Sequence, residues 1–213
     1  MYTDAQKAIN LQNKDAKSTL HTKSAGEHIG TYYLADNPKY YEPQRSNNFI
    51  FYVKFPTDYF KGLIPQNSYA EKNASEVLKL SVDESFVPHF TMSSISVKRG
   101  NNEMKFAGTP TFSSGTIKFT DFIGAGTKDI LVAWKSKCYD IETEKVGLAS
   151  DYKLEAWLLE QTPDYQTVRT WRIAGCWLAE LSEDSYSHDN NEKHSISAVF
   201  NYDKAYPYTN DIA

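Results

Sequence analysis

The sequence predicts a mainly β fold, a β-barrel or sandwich of about seven strands with one packed α-helix, an N-terminal arm and an inserted loop. Two patterns support this prediction. Apolar and polar residues alternate with period two in most segments after residue 48, which is typical of strands. A single segment instead groups its apolar residues at helical spacing. The 213 residues are 40% apolar, which is enough to bury a core without a disulfide or metal staple.

The first three predicted strands lie between residues 49 and 106. The first spans 49–55 and ends at Pro56, since proline cannot continue a strand ladder. The next two form a hairpin, in which Ile95 and Val97 alternate with polar residues before the turn. The turn spans 99–102 and contains glycine and asparagine, which tolerate positive φ.

Four further segments continue the β pattern after the hairpin, and they span 115–123, 152–159, 168–173 and 194–202. In the first of these, Ile117, Phe119 and Ile123 are expected to share one face. Gly175 is expected to stop the strand before it, because glycine weakens a strand interior.

The segment after Gly126 predicts the helix. Thr127 is the expected N-cap, and Asp129 lies in the first turn, where the helix dipole favours an acid. The apolar residues at helical spacing are Ile130, Leu131, Trp134 and Cys138. A short second helix is expected near 74–80, and residues 139–150 are expected to be a polar loop.

Residues 1–47 differ in composition from the rest of the chain. They are polar and without sustained period, so they are predicted to be an arm ordered by a neighbour, a disordered tail, or a loop packed on its own domain. Residues 48–207 form the predicted β domain, with 57–80 as an inserted connection and 208–213 as a C-terminal tail. Aromatic side chains offer large contact area with few rotatable bonds. The candidate self-assembly residues are therefore Tyr32, Tyr33, Tyr40, Tyr41, Tyr59 and Phe60.

No residue pattern predicts an enzyme. The segment 124–128 is too short for a phosphate loop, and acidic pairs lie in polar, loop-like segments. His188 and His194 could belong to a loop metal site, but no third histidine or cysteine lies close to them. We therefore predict no catalytic residue, no metal and no cofactor. Cys138 and Cys176 are expected to be small buried hydrophobes, with a bridge between them or a bridge between subunits as the alternatives.

Charge and hydropathy exclude two classes of partner. The formal net charge of −4 is mixed in sign, which argues against a dedicated nucleic-acid binder. No apolar run approaches the ~18 residues of a membrane span. The first residues lack the apolar core of a signal peptide, so export by that route is not expected.

Several segments in a fixed order resemble one known family. The order is FIFYVKF, VPHFTMSSISVKRGNNEMKFAG, TFSSGTIKFTDFIG, TKDILVAWKSK, YDIETEKVG, DYKLEAWLLEQ, VRTWRIAGCWLAEL and ISAVFNYD. The single positions that carry the likeness are Trp134 near the helix end, the corner Gly175-Cys176-Trp177-Leu178, and the late aromatics Phe200, Tyr202 and Tyr206. Together they resemble the tail tube proteins of contractile-tailed bacteriophages over 48–207. Leu178 departs from that pattern, because it stands where the family commonly has proline.

The resemblance implies a structural virion protein without enzymatic activity. It implies that 48–207 is a tail-tube β-barrel domain, that six copies form a ring, and that rings stack into a tube for DNA ejection. Implied partners are other copies, the tail sheath, and the baseplate and tail-terminator proteins. Genomic DNA would pass through the lumen without specific binding. The implied location is the phage tail in the virion, after assembly in the host cytoplasm.

Two alternatives remain open at this point. One is a tube or tube-initiator ring of a baseplate or of a bacterial contractile injection system, such as a type VI secretion ring. The other, in a different class, is a soluble β-barrel ligand-binding protein or hydrolase. Segments 49–55 and 152–159 are apolar on both faces. This pattern favours the tube, because a neighbouring chain would cover the second face.

Overall fold

The structure is a computed structural model that describes residues 43–66, 68–188 and 192–208. The chain divides between Gln44 and Arg45 into two units, and every element named below belongs to the second. The predicted arm lies outside the described residues up to residue 42.

Strands dominate the described residues, which confirms the mainly β prediction. The strands are β1 (Phe49–Val53), β2 (Val82–Glu84), β3 (Phe90–Arg99), β4 (Asn102–Phe112), β5 (Gly115–Thr120), β6 (Tyr139–Asp140), β7 (Lys145–Val146), β8 (Leu154–Gln161), β9 (Thr167–Glu183), β10 (Ser195–Asn201) and β11 (Lys204–Tyr208). The helices are α1 (Tyr69–Ser81), α2 (Thr127–Cys138) and the single turn α3 (Ala149–Tyr152).

The main sheet is antiparallel and has the order β1-β8-β9-β10-β5-β2, with β11 also paired to β9. Strand β9 is 17 residues long and belongs to both halves of this sheet. Its first half lies between β8 and β11, and its second half pairs with β10. The sheet curls around β9 into half of a barrel.

Gly175 lets β9 turn from one half of the sheet to the other. Its φ is +68°, and a Cβ at this position would lie 2.2 Å from Oδ2 of Asp203. Only glycine adopts such a conformation without strain. The register with β8 shifts at this point, because Leu154 pairs with Cys176 and Ala156 pairs with Ile173, as at the bulges that bend strands. The prediction that Gly175 stops the strand is therefore wrong, because the bend allows β9 to continue to Glu183.

Helices α1 and α2 pack on each other and close the core against the sheet. Trp134 of α2 is fully buried, and its Nε1 donates a hydrogen bond to the carbonyl oxygen of Tyr152 at 2.9 Å. The hydroxyls of Ser81 and Thr127 share a 2.9 Å hydrogen bond that joins the two helices. The largest buried side chains from the strands are Phe51, Phe119, Phe200, Ile117 and Ile173. The predicted buried face of α2 is confirmed at Ile130, Leu131 and Trp134.

Three local predictions are corrected by the structure. Gly126, with φ +70°, is the N-cap of α2, and Thr127 is instead buried in the first turn. Strand β5 ends at Thr120, so Ile123 is exposed rather than on the core face. Residues 139–150 are not an irregular loop, because β6 and β7 pair there and α3 begins at Ala149.

The connection 57–80 contains most of α1, which is longer than the predicted helix. Ser68 is its N-cap, and the Ser68 hydroxyl accepts a hydrogen bond from the backbone N–H of Glu71 at 3.2 Å. Strand β11 was not predicted, since Pro207 argues against a strand interior. Both cysteines are free, with Cys176 fully buried and Cys138 half-buried.

Candidate functional site

A long hairpin made of β3 and β4 leaves large apolar side chains in solvent. The strands have 10 and 11 residues, so the ribbon is about 34 Å long at a rise of about 3.4 Å per residue. Its half-exposed apolar side chains are Phe90, Met92, Ile95, Val97, Met104 and Phe106. Among the described residues, β3 and β4 pair only with each other.

The register places four of these side chains on one face of the ribbon. Ile95 lies opposite Phe106, and Val97 lies opposite Met104. The alternate positions are polar, as in the pair of Ser96 with Lys105. Directly opposite residues in an antiparallel pair share a face. We call the face with Ile95, Val97, Met104 and Phe106 the apolar ribbon face.

A bulge on β4 separates the apolar ribbon face from the base of the hairpin. Met92 pairs with Pro110 and Ser94 pairs with Ala107, so β4 has one more residue than β3 between these pairs. Strand β3 alternates without interruption, so Phe90 and Met92 lie on the side opposite Ile95 and Val97. Gly108 permits the close approach on β4, because a Cβ there would lie 2.3 Å from Oγ of Ser93.

The hairpin is anchored to the body of the domain at its base. The rings of Phe90 and Phe112 are 5.6 Å apart, and that of Phe112 is 6.0 Å from the ring of Tyr202. Tyr202 also stacks on Phe86 and hydrogen-bonds the backbone of His89 through its hydroxyl. The base is therefore fixed by packing, while the rest of the ribbon extends into solvent.

The outer face of β1, β8, β9 and β11 carries a second apolar surface. One cross-strand row reads Tyr52, Trp157, Arg172 and Tyr206, each paired in register with the next. A parallel row reads Ile50, Leu159, Thr170 and Tyr208. We call these eight residues the outer aromatic face. The rings of Tyr52 and Trp157 are 5.9 Å apart, and Arg172 forms an ion pair with Glu155.

The outer aromatic face confirms that β1 and β8 are apolar on both sides. Their alternate residues, including Phe51, Ala156 and Leu158, lie in the core. Tyrosine, tryptophan and arginine are the residues enriched where protein interfaces bind most tightly. Seven of the eight residues are half-buried and Thr170 is buried, so the face is partly exposed.

A third surface is an apolar groove between α2, the β6–β7 hairpin and the second half of β9. Its volume is about 500 Å³. The lining is mainly apolar and includes Val132, Cys138, Tyr139, Ile141, Val146 and Trp177. Ile141 is 83% exposed, which is unusual for an isoleucine in an ordered turn. We call this surface the groove.

The turn between β6 and β7 gives the groove an acidic rim. Asp140 accepts hydrogen bonds from the backbone N–H of Glu142 at 3.0 Å and from the hydroxyl of Thr143 at 2.6 Å. These bonds lower the pKa of Asp140, since they stabilise its charged form. Glu142 and Glu144 are exposed beside it. At the other wall, burial raises the pKa of the Cys138 thiol.

The structure places only two of the candidate self-assembly residues. Phe60 is 2% exposed and lies in the core, so its ring is not available to a neighbour in this fold. Tyr59 is half-buried beside it, donates a hydrogen bond to the carbonyl oxygen of Asp151 at 2.7 Å, and has its pKa raised by burial. The other four, Tyr32, Tyr33, Tyr40 and Tyr41, lie outside the described residues.

Sequence reasoning missed the groove as a site, and it indicated only the β1 and β8 part of the outer aromatic face. The groove joins residues about 40 positions apart, such as Tyr139 and Trp177, so no local pattern reveals it. One available signal was the apolar pair Ile141 and Val146 inside an otherwise polar segment. The described residues hold no group of three or more His, Cys, Asp or Glu side chains placed to bind a metal ion. No helix in the described ranges has the length and apolar content needed to cross a membrane.

Comparison with solved structures finds this fold in contractile injection systems. A chain of the anti-feeding prophage tube-terminating cap matches with a TM-score of 0.55, at 14% identity, over 79% of this chain and 92% of that chain. A chain of the sheath/tube terminator of the extracellular contractile injection system PVC gives 0.54, at 16% identity, over 78% and 97%. A chain of the PVC sheath-tube complex gives 0.51, at 16% identity, over 87% and 98%. No family model and no curated protein matches the sequence.

These matches agree with the resemblance drawn from the order of the sequence segments. Identities this low establish shared architecture, while function depends on the surfaces that each chain carries. The described chain therefore has the fold of the tube and cap proteins of contractile injection systems.

Proposed function

We propose that this chain is a structural subunit of the tube, or of a ring at the end of the tube, in a phage-tail-like contractile system. The observation that carries the proposal is the apolar ribbon face, which stays in solvent although the domain has a complete core. Exposed apolar ribbons are an aggregation hazard in a monomer. A subunit whose neighbours cover the ribbon removes that hazard.

The size of the surfaces supports an assembly with several contacts per subunit. The ribbon is about 34 Å long and about 10 Å wide, so one face offers about 300 Å². Stable protein interfaces bury about 800 Å² per partner. The apolar ribbon face alone is too small, but together with the outer aromatic face and the groove it provides contacts in several directions. Neighbours within a ring and between rings would use different surfaces.

The finer features of the assembly belong to the same proposal. Six copies would form a closed ring, and head-to-tail stacking of rings would give a tube. The edges of β3 and β4 that have no strand partner among the described residues would pair with strands of neighbouring copies, joining the ribbons into a luminal barrel. The sheath would surround the tube, and baseplate and terminator proteins would bind its ends. In a phage, genomic DNA would pass through the lumen without specific binding, in a virion assembled in the host cytoplasm.

The proposed role is not enzymatic. The matched structures are those of a tube-terminating cap and of a sheath/tube terminator, and the surfaces described above offer contact area to neighbouring subunits. The four tyrosines Tyr32, Tyr33, Tyr40 and Tyr41 would add contacts between rings or with the sheath, and Tyr59 would contribute only its exposed edge.

A second candidate function rests on the groove. Its volume of about 500 Å³ and its apolar lining fall in the range of small-molecule sites, about 300–1,000 Å³. In that case the chain would be a soluble β-barrel protein that binds an apolar ligand. This candidate requires no self-association.

Size and shape of the purified full chain distinguish the two candidates. We expect rings of uniform diameter in negative-stain micrographs and a mass several times that of the monomer in light scattering as concentration rises. Stacked tubes would identify a main tube subunit, whereas rings that never stack would identify a terminal ring. A monomer at every concentration that binds an apolar fluorescent probe would overturn the assembly proposal in favour of the ligand-binding one.

A further inference from the structure

We propose that the tip of the β3–β4 hairpin of one copy docks into the groove of a neighbouring copy. The inference rests on the proposed function only in requiring that the chain self-associates. It assigns the groove one occupant, a second copy of this chain, and it names the surface of that copy which enters.

The first argument is charge complementarity. The tip carries Lys98, Arg99 and Lys105 against the single acid Glu103, a net charge of +2. The β6–β7 turn at the rim of the groove carries Asp140, Glu142 and Glu144 against the single base Lys145, a net charge of −2. Lys135 of α2 also lines the groove, so the rim and the lining together have a net charge of −1. Opposite potentials of this kind fix the register of an interface and exclude like-charged alternatives.

The second argument is that both surfaces combine the same two features. On the tip, Val97 and Met104 share a face with Arg99, and Lys98 and Lys105 lie on the opposite face. In the groove, Ile141 lies within the acidic turn and Val146 follows it. Apolar contacts would remove both surfaces from water, and the charges at their ends would pair as contact forms.

The third argument comes from the fold of a single copy. The base of the hairpin is fixed by the packing of Phe112 on Tyr202, and both strands stay paired up to the turn at Gly100. In this fold the tip and the groove are exposed at the same time. Neighbouring copies can therefore cover both the tip and the groove. Because the tip and the groove are different surfaces, the contact is head-to-tail, and such contacts generate rings or filaments rather than closed dimers.

Charge reversal at the two surfaces tests this pairing. The tip variant is Arg99→Glu with Lys105→Glu, because their cross-strand partners Asn102 and Ser96 are uncharged. Lys98 is left unchanged, since its partner is Glu103 and a new acid there would repel it within the hairpin. The groove variant is Glu142→Lys with Glu144→Lys. Asp140 is left unchanged, because its carboxylate orders the turn.

Each variant is expected to raise the critical concentration for assembly about tenfold at low salt, by introducing like-charge repulsion across the contact. The chain that carries both reversals should return to within about threefold of the original, since the charges are then exchanged. A matched control, Lys72→Glu with Lys79→Glu on the exposed side of α1, should leave assembly unchanged. Thermal unfolding of each variant at a concentration below assembly confirms that it folds.

Three outcomes overturn the inference. The combined chain could assemble no better than the single-surface variants, the groove variant could assemble normally, or the control could be as damaging as the tip variant. A groove occupied instead by a sheath segment or a small apolar ligand gives the second of these outcomes. An original chain that stays monomeric contradicts the proposed function itself, so the two failures are distinguishable.

Cross-linking through a native thiol gives an independent readout. Cys138 lines the groove, whereas Cys176 is fully buried. Single cysteines placed at Ile95, Val97, Met104 or Phe106 are expected to give at least one intermolecular cross-link with a short bis-maleimide reagent. The cross-link should disappear when Cys138→Ser is added. A panel without any Cys138-dependent cross-link in an assembling chain contradicts the docking.

Discussion

Replacing Gly175 by alanine is expected to lower the free energy of unfolding by about 2–4 kcal/mol. Holding a residue other than glycine at φ +68° costs about 1 kcal/mol or somewhat more. The new Cβ would also lie 2.2 Å from Oδ2 and 2.7 Å from Cγ of Asp203. Asp203 must move, although Lys153 holds both of its carboxylate oxygens at 2.8 and 2.9 Å. Such overpacking adds about 1–3 kcal/mol.

Urea unfolding, followed by tryptophan fluorescence at a concentration below assembly, measures this cost. The midpoint should fall while the slope with urea stays constant, since the surface exposed on unfolding is unchanged. Gly62→Ala is the matched control, because Gly62 has φ +81° and a Cβ added there would have no neighbouring atom within 4 Å. That control should cost only the backbone part, about 1 kcal/mol.

A second substitution separates the clash from the backbone cost. Asp203→Ala in the Gly175→Ala background removes the carboxylate that the new methyl meets, so it should recover part of the lost stability. If Gly175→Ala destabilises no more than Gly62→Ala, the steric reasoning at the β9 bend is wrong. The same holds if removing the Asp203 carboxylate recovers nothing.

Three further predictions concern the ribbon, the core and the sheet edge. Phe106→Ser should change the free energy of unfolding by less than about 0.5 kcal/mol, because the Phe106 ring is half exposed. The same substitution should raise the critical concentration for assembly. A large loss of stability would contradict the role of Phe106 in contacts with another copy. Trp134→Phe should cost about 2 kcal/mol in urea unfolding, since it leaves a cavity and removes the hydrogen bond to Tyr152; a neutral result would refute that packing. Partial burial opposes ionisation of Asp83, but hydrogen bonds, including one from Lys193 at 2.7 Å, outweigh it and lower the pKa of Asp83. Ionised Asp83 should therefore stabilise the fold by less than about 1 kcal/mol at this exposed site. This contribution should be present above the ordinary carboxyl pKa of 3.8 and should disappear as pH falls through the lower pKa of Asp83 in the folded state. Unfolding of Asp83→Asn across pH 2–7 tests this, and a difference from the original chain that persists at the acid end would contradict it.

The sequence predicted those parts of the fold that depend on local pattern. The alternation at Ile117 and Phe119 placed both on the core side of β5, and both are fully buried. The spacing of Ile130, Leu131 and Trp134 identified α2 and its buried face. The glycine-containing turn located the hairpin, because a two-residue connection needs a residue that accepts positive φ, and Gly100 has φ +62°.

Features that depend on distant residues were not predictable in the same way. From the local sequence, Gly175 predicts the end of a strand. Its neighbours in the fold, Asp203 and β11, come later in the chain, and only they show that β9 bends there and continues. Leu178, which departs from the resembled pattern, is only 1% exposed, so its side chain fills core space in the curled sheet. The environment of both positions is made by strands that follow later in the chain. A single sequence gives no register between such strands.

Alternation in a strand also does not say which molecule covers the apolar face. Ile95 and Val97 alternate with polar residues just as Ile117 and Phe119 do, yet the first pair is half exposed and the second is fully buried. A face of four large apolar side chains on one side of the ribbon is unfavourable if it contacts only water. In both pairs the apolar side chains therefore need another apolar surface to cover them. In β5 the covering surface belongs to the same chain, and in the hairpin we infer that it belongs to the next one.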